Sequence, residues 1–393
     1  MKDRIFKEID EIKAEIIQLG RDIHDNPELG FEEYKTVGFI KAMFEKHGFT
    51  IEEKSGALDT AFKARLKGKK KGVTVAFLAE FDALPGLGHA CGHNLIAAIS
   101  TGAAIGLSRV MADLDGEIVL MGTPAEEGGG GKIRLLEKGE FDDLDYALMT
   151  HPSTANTIDK GCLAATKMEI TYTGRSAHAS TPEKGVNALR AVIQTFNLID
   201  SSRDRMPLKS QISGIISNGG VAAGVIPDLA QCKFSVRSAT FAELKTVVDM
   251  VKTVVKSVEC FTGATATITT GIVYAERYQN HAIGELYKKY MEQQGEIVDY
   301  PRPDAKLGSS DIGNVSLKIP TVQTHVKIAD EPATLHTKEF AVASASDRAQ
   351  EGVMKAAKAL ACAGYEILTD ENLRRIIKKE FDEKVPLYSS LSL

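Results

Sequence analysis

Val73-Thr-Val-Ala-Phe-Leu-Ala-Glu-Phe-Asp82 decides the fold. Its apolar run, Val73 to Leu78, is the length of a buried strand and too short for a buried helix, and it runs straight into Glu80 and Asp82. Two further runs of this kind, Ile118 to Met121 and Tyr146 to Met149, follow with helical patterns between them. The alternation predicts an α/β fold: a mixed, mostly parallel sheet with helices on both faces. Ligands of such sheets bind beyond the carboxyl ends of the strands. That directs attention to Glu80-Phe-Asp82, to Thr123-Pro-Ala-Glu-Glu127 and to Thr150-His-Pro152.

Toward the N-terminus, Ile5, Ile9, Ile12, Ile16, Leu19 and Ile23 recur at steps of three and four, which predicts one amphipathic helix ending near Asn26-Pro27. The most apolar stretch, Leu95 to Met111, carries Arg109 and small polar residues and reads as a buried helix, not a membrane span. From about Thr166 the pattern becomes strand (Lys167 to Tyr172), helix (Val186 to Ile199), two strands (Gln211 to Ile216, Ala230 to Val236), helix (Ala242 to Val258) and strand (Thr265 to Thr270). This order predicts an inserted α+β, ferredoxin-like domain, a four-stranded sheet with two helices on one face. The α/β pattern then resumes with a strand at Thr321 to His325. The expected organisation is a discontinuous α/β domain, residues 1–164 and 280–393, interrupted by an inserted domain at 165–279.

Composition narrows the function. The chain has 393 residues, 43% hydrophobic and 26% charged, with a net charge of -5, so neither a disordered chain nor a nucleic-acid-binding surface is expected, and small substrates are. The N-terminal MKDRIFKEIDEIKAEIIQLG lacks the apolar core of a signal peptide, which predicts a cytoplasmic location. Five cysteines at wide spacings form no disulfide framework; four read as core, and Cys91 does not. The basic run Lys67 to Lys71 reads as a solvated hairpin turn.

Cys91 sits in His89-Ala-Cys-Gly-His93, two imidazoles and a thiol directly before the apolar helix. Alone, this cluster fits a metal site, a structural half-site, a reactive Cys-His pair or coincidence. Glu126-Glu127, followed by four glycines at a predicted strand end, adds weight to the metal reading: adjacent carboxylates in a turn can point one at a metal and the other at a water. His151, before a proline, and His336, in Leu335-His-Thr337, are further contributors, although a lone histidine is more often an ordinary core or surface group.

The motifs together resemble the amidohydrolase branch of the aminoacylase and glutamate carboxypeptidase family of co-catalytic metallopeptidases. The matching pieces are Ile23-His-Asp-Asn-Pro-Glu-Leu-Gly-Phe-Glu-Glu33, Glu80-Phe-Asp-Ala-Leu-Pro85, Gly88-His-Ala-Cys-Gly-His-Asn94, Thr123-Pro-Ala-Glu-Glu-Gly-Gly-Gly-Gly131, His151-Pro152, Gly174-Arg-Ser-Ala-His178, Gly308-Ser-Ser-Asp311 and Leu335-His-Thr337. They span nearly the whole chain in the family's order. Cys-Gly-His-Asn, where plant auxin-conjugate hydrolases carry Cys-Gly-His-Asp, places the resemblance nearest the dipeptidase-like and p-aminobenzoyl-glutamate hydrolase-like members. It implies two divalent metal ions held by Cys91, His93, Glu127, His151 and His336, with Cys91 shared. Zinc is the first expectation, with manganese, cobalt and nickel as alternatives. It further implies Glu126 as general base, Asp82 as the carboxylate that orients a ligand, and His178 as a residue reaching a partner subunit's active site. Arg237 would bind a substrate carboxylate. Gly224 departs from the pattern, standing where the family often has an asparagine before Val-Ile-Pro.

The implied activity is metal-dependent hydrolysis of an amide bond in a dipeptide or an N-acyl, aminoacyl or aminobenzoyl amino acid, by a homodimer or a tetramer, with no nucleic-acid or membrane partner. Two rival readings remain: a catalytically silent metal-binding scaffold, and a Cys91 nucleophile with His89 or His93 as base. Neither gives Glu126 a role.

Overall fold

The computed structural model describes residues 1–301, 307–386, 391 and 393. It divides into two compact units: Met1–Gly161 with the described residues from Arg277 to 386, and Cys162–Glu276 with Leu391 and Leu393.

The larger unit is built on a six-stranded sheet. Its strands are β1 (Thr50–Glu53), β2 (Phe62–Lys67), β3 (Thr74–Ala79), β4 (Glu117–Gly122), β5 (Tyr146–Ser153) and, late in the chain, β12 (Thr321–Lys327), in the order β1-β2-β4-β3-β5-β12. β4, β3, β5 and β12 run parallel, and β2 and β1 are added antiparallel at one edge. Alternation decides what covers each face. Val75, Phe77 and Ala79 face one way, into a core shared with α1 (Lys2–Glu11), α2 (Lys13–Asp25), α4 (His93–Ser108), α8 (His281–Glu292) and α11 (Asp347–Thr369). Ala76 and Leu78 face the other way, against Leu135 of α5 (Gly131–Glu137) and Ile312 and Val315 of α9 (Ile312–Ser316). The sheet is thus mixed, mostly parallel and covered on both sides, as the apolar runs predict. Helices α3 (Tyr34–Lys46), α10 (Lys338–Ala343) and α12 (Glu371–Lys384) complete the unit. No described helix is long and apolar enough to cross a membrane.

The smaller unit runs β6 (Ala164–Thr173), α6 (Ala188–Asp200), β8 (Gln211–Asn218), β10 (Leu229–Ser238), α7 (Phe241–Thr262) and β11 (Thr265–Thr270). The strands pair antiparallel in the order β11-β6-β10-β8. This is the ferredoxin-like arrangement expected of a split β-α-β unit. Met168, Ile170 and Tyr172 of β6 and Cys232, Phe234 and Val236 of β10 share one core with Val192 of α6 and Val248 and Val251 of α7. A short ribbon, β7 (Ala177–His178) with β9 (Val225–Ile226), lies outside that sheet.

Several local expectations need correction. The first helix is two, broken at Ile12. Ile12 stays buried beside Ile9 and Ile16, so a one-residue break leaves the apolar spacing intact and the sequence pattern does not register it. Lys67 to Lys71 are mostly exposed, but they do not close a hairpin: β2 and β3 each pair with β4, and the run hydrogen-bonds instead to Leu114 and Gly116. Cys260 is exposed; Cys162, Cys232 and Cys362 are buried as expected. β5 continues through His151 and Pro152, which lie within the strand and not after it, and Arg237 likewise lies inside β10.

Candidate metal centre

Three parallel strands and one helix converge on the centre. β3 ends immediately before Glu80 and Asp82, β4 ends before Thr123 to Glu127, and β5 carries His151. α4 opens with His93, and the turn before it needs glycine: Gly92 has φ 77°, and a Cβ there would lie 2.5 Å from Pro152 Cγ. The helix start and the β5 strand therefore pack backbone to ring, which brings Cys91 Sγ to 3.5 Å from His151 Nε2.

Ring orientation follows from hydrogen bonds on the far side of each imidazole. His93 Nδ1–H donates to Asp82 Oδ1 at 2.9 Å, and His93 Nε2, fully buried, is left without a hydrogen-bond partner, 3.5 Å from Glu80 Oε2. His151 Nδ1–H donates to the carbonyl of Pro152 at 2.7 Å, so its Nε2 turns toward Cys91. Asp82 uses its second oxygen, Oδ2, to accept the backbone N–H of Glu127 at 2.9 Å. His336, in a left-handed backbone conformation (φ 65°), is held by its own N–H to the Ala90 carbonyl and brings Nε2 to 3.1 Å from Glu127 Oε1.

Two triplets of ligand atoms result, each within 4.8 Å of one another: Cys91, His93 and His151; and Cys91, Glu127 and His336. Cys91 belongs to both. A soft thiolate shared between two N/O sets is a donor arrangement that fits two divalent ions, and the buried His93 Nε2, which has no hydrogen-bond partner, points to the same use. Glu126 forms a third triplet with His93 and Glu127.

Electrostatics agree with that geometry. Burial pushes the Cys91 thiol up, so a thiolate there needs a cation, and a free nucleophilic thiolate is disfavoured. Burial lowers His151 to about 4, keeping its imidazole neutral and available as a ligand. Desolvation followed by the carboxylates of Glu80, Asp311 and Glu127 holds Glu126 well above the ordinary range. Burial also raises Glu127, but His336, His93 and Cys91 together outweigh it and the net direction is down. Two neighbouring carboxylates thus separate into one that favours a proton and one that favours a charge, the pattern of a base beside a ligand.

Lys132, and the link it makes between Glu80 and Asp311, is a feature the sequence does not single out. Lys132 Nζ donates to Glu80 Oε1 and to Asp311 Oδ1, both at 2.6 Å, and all three side chains are almost completely buried. The visible signal is a lysine directly after a glycine run and an acidic residue two places before Asp82. His178 and Arg237 belong to the smaller unit: His178 is exposed on the short ribbon, its Nδ1 accepting the Ser180 N–H, and Arg237 sits opposite Ala165 and Gln211. Gly224, exposed, gives its carbonyl to the Ala179 N–H.

The sequence matches the peptidase dimerisation domain family over residues 164–259. It is 32% identical to the Xaa-Arg dipeptidase of Mus musculus, covering 98% of this chain and 93% of that protein. With a p-aminobenzoyl-glutamate hydrolase chain of Escherichia coli it shares 25% identity, covering 92% of this chain and 90% of the relative. The fold superposes on a dinuclear metal-binding peptidase of the M20 family from Bacillus subtilis with a TM-score of 0.67, at 21% identity over 90% of this chain and 99% of that one. Full-length similarity to hydrolases and an ion-ready centre at the strand ends lead to one assignment: the chain belongs to the M20 family of metal-dependent peptidases and amidohydrolases.

Proposed function

We propose that Cys91, His93, Glu127, His151 and His336 hold two divalent ions, zinc first among the candidates, and that Glu126 is the base for hydrolysis of a dipeptide or an N-acyl amino acid. The observation that carries this reading is the pair of ligand triplets sharing Cys91, with Glu126, which belongs to neither of the two, beside them. Two ions there would polarise the scissile carbonyl and acidify a neighbouring water. Glu126 takes the proton of that water and returns it to the leaving nitrogen, a shuttle suited to a carboxyl whose proton affinity is raised. Asp82 fixes the His93 ring and the Glu127 backbone at once. His178, contributed across a homodimer, would steady the developing oxyanion, and Arg237 would pair with a substrate carboxylate. The substrate class draws on the named relatives, a dipeptidase and an aminobenzoyl-glutamate hydrolase. A silent scaffold gains no support from them.

Metal content and turnover of a panel of dipeptides and N-acyl amino acids test the reading. Activity should vanish on chelation and return with a divalent ion. Hydrolysis that survives complete chelation, or a metal-replete protein that cuts no panel member, would sink it.

A further inference from the structure

The motif Pro27-Glu-Leu-Gly-Phe-Glu-Glu33 supplies none of the groups in the centre, yet it is tied to the turn that does. Ala125, the residue before Glu126, has φ 56°, a left-handed conformation that a residue with a Cβ rarely holds without outside support. Its N–H donates to Oε1 of Glu33 at 2.9 Å, across 92 residues of chain. Its carbonyl accepts from Gly129 N–H, and its methyl packs between Gly30 and Gly129, where a Cβ on either would come within 2.7 Å of it. The Glu33 loop is itself anchored: the Glu28 carboxylate accepts the N–H groups of Lys35 and Thr36 at the start of α3, and the Glu28 carbonyl accepts the Ala83 N–H. Glu33 is fully buried, with Oε2 lacking a hydrogen-bond partner, a position in which a carboxyl contributes little to stability.

We propose that Glu33 is a positioning residue: its bond to the Ala125 N–H keeps Ala125 left-handed and so fixes where Glu126 and Glu127 point. This rests on the roles given to Glu126 and Glu127 above. Asp82 holds the C-terminal side of the Glu pair through the Glu127 N–H, and Glu33 holds the N-terminal side through Ala125. Without Glu33 the Ala125 backbone relaxes toward negative φ and swings both carboxylates. Burial raises the Glu33 carboxyl to about 7, so its protonated form is accessible near neutrality, and that form, like an amide, still offers a carbonyl oxygen to the Ala125 N–H.

The test uses Glu33→Gln, which keeps the acceptor; Glu33→Ala and the larger, apolar Glu33→Met, which remove it; and Ala125→Gly, whose backbone adopts positive φ without support. Metal per chain, metal affinity by chelator competition, kcat and KM are measured for each, with circular dichroism as the check on folding. Glu33→Met and Glu33→Ala should lower kcat about 10- to 100-fold and weaken metal binding while leaving KM nearly unchanged. Glu33→Gln should stay within about threefold of wild type, and in the Ala125→Gly background Glu33→Met should cost less than about threefold. If Glu33→Ala does not fold, Glu33→Met decides. The proposal is overturned if folded Glu33→Met keeps full kcat and both ions, if it loses the same factor in both backgrounds, or if Glu33→Gln is as impaired as Glu33→Met. Glu126→Gln run in parallel separates the two levels: full turnover there defeats the base assignment itself, whereas an inactive Glu126→Gln beside a fully active Glu33→Met defeats only the role of Glu33.

Discussion

Asp82 does two jobs with one buried carboxylate, orienting His93 and capping the Glu127 backbone. Burial raises its pKa, but the His93 and Glu127 contacts outweigh that and keep it ionised. Asp82→Ala should therefore weaken metal binding about 10- to 100-fold, as read by competition with a chromophoric chelator; unaltered affinity would show that His93 keeps its orientation by packing alone. The chemistry at this scale was legible where residue types crowd together, as in His89-Ala-Cys-Gly-His93 and Glu126-Glu127. Glu33 and Lys132 were not legible, because what singles them out is burial against partners 92 and 179 residues away. A glutamate in an acidic loop and a lysine at a helix start look like surface charge until the fold encloses them.

Helix α4 is buried on every side from His93 to Leu107, and its small residues let neighbouring helices approach. A Cβ at Gly106 would meet Ile9 Cγ1 of α1 at 2.2 Å, and one at Gly102 would meet Ile16 Cδ1 of α2 at 2.8 Å. Gly106→Ala should destabilise the larger unit by roughly 1–3 kcal/mol, since the gain in helix propensity is smaller than the cost of moving Ile9. Urea unfolding measures this, and a stabilised variant would mean that Ile9 has free room. Strands and long helices could be read from the sequence because apolar runs and three-four spacing report burial directly. Breaks could not: Ile12 interrupts the helix while remaining in the core, and β5 runs on through His151 and Pro152, past the end of its apolar run at Met149. Pairing partners are also silent in a strand's own sequence, which is why the lysine run between β2 and β3 looked like a hairpin.

At the scale of the molecule, Glu366 of α11 gathers Lys2 at the chain's start, Lys289 at 2.8 Å and the Tyr290 hydroxyl of α8. Burial would raise its pKa, but these three donors outweigh it and hold it at about 2, against an ordinary value of 4.5. The folded-state pKa is depressed, so the stabilisation is present above 4.5 and is lost as pH falls toward 2. Glu366→Gln should lower the Tm at neutral pH, with the gap to wild type closing between those two values; a gap that does not change with pH would contradict this. The interruption of an α/β pattern by a strand-helix-strand-strand-helix-strand segment was visible as a change of period along the chain. The assembly of the centre was not, because it depends on the close approach of Gly92 to Pro152 and on the ties from Asp82 and Glu33. The account as a whole stands on Glu126 being a base and not a ligand. The most direct measurement is metal content and turnover of Glu126→Gln beside wild type. The account predicts about two ions per chain in both proteins and a fall in kcat of on the order of a hundredfold or more in the variant. Wild-type turnover, or a variant that loses its ions together with its activity, would contradict it.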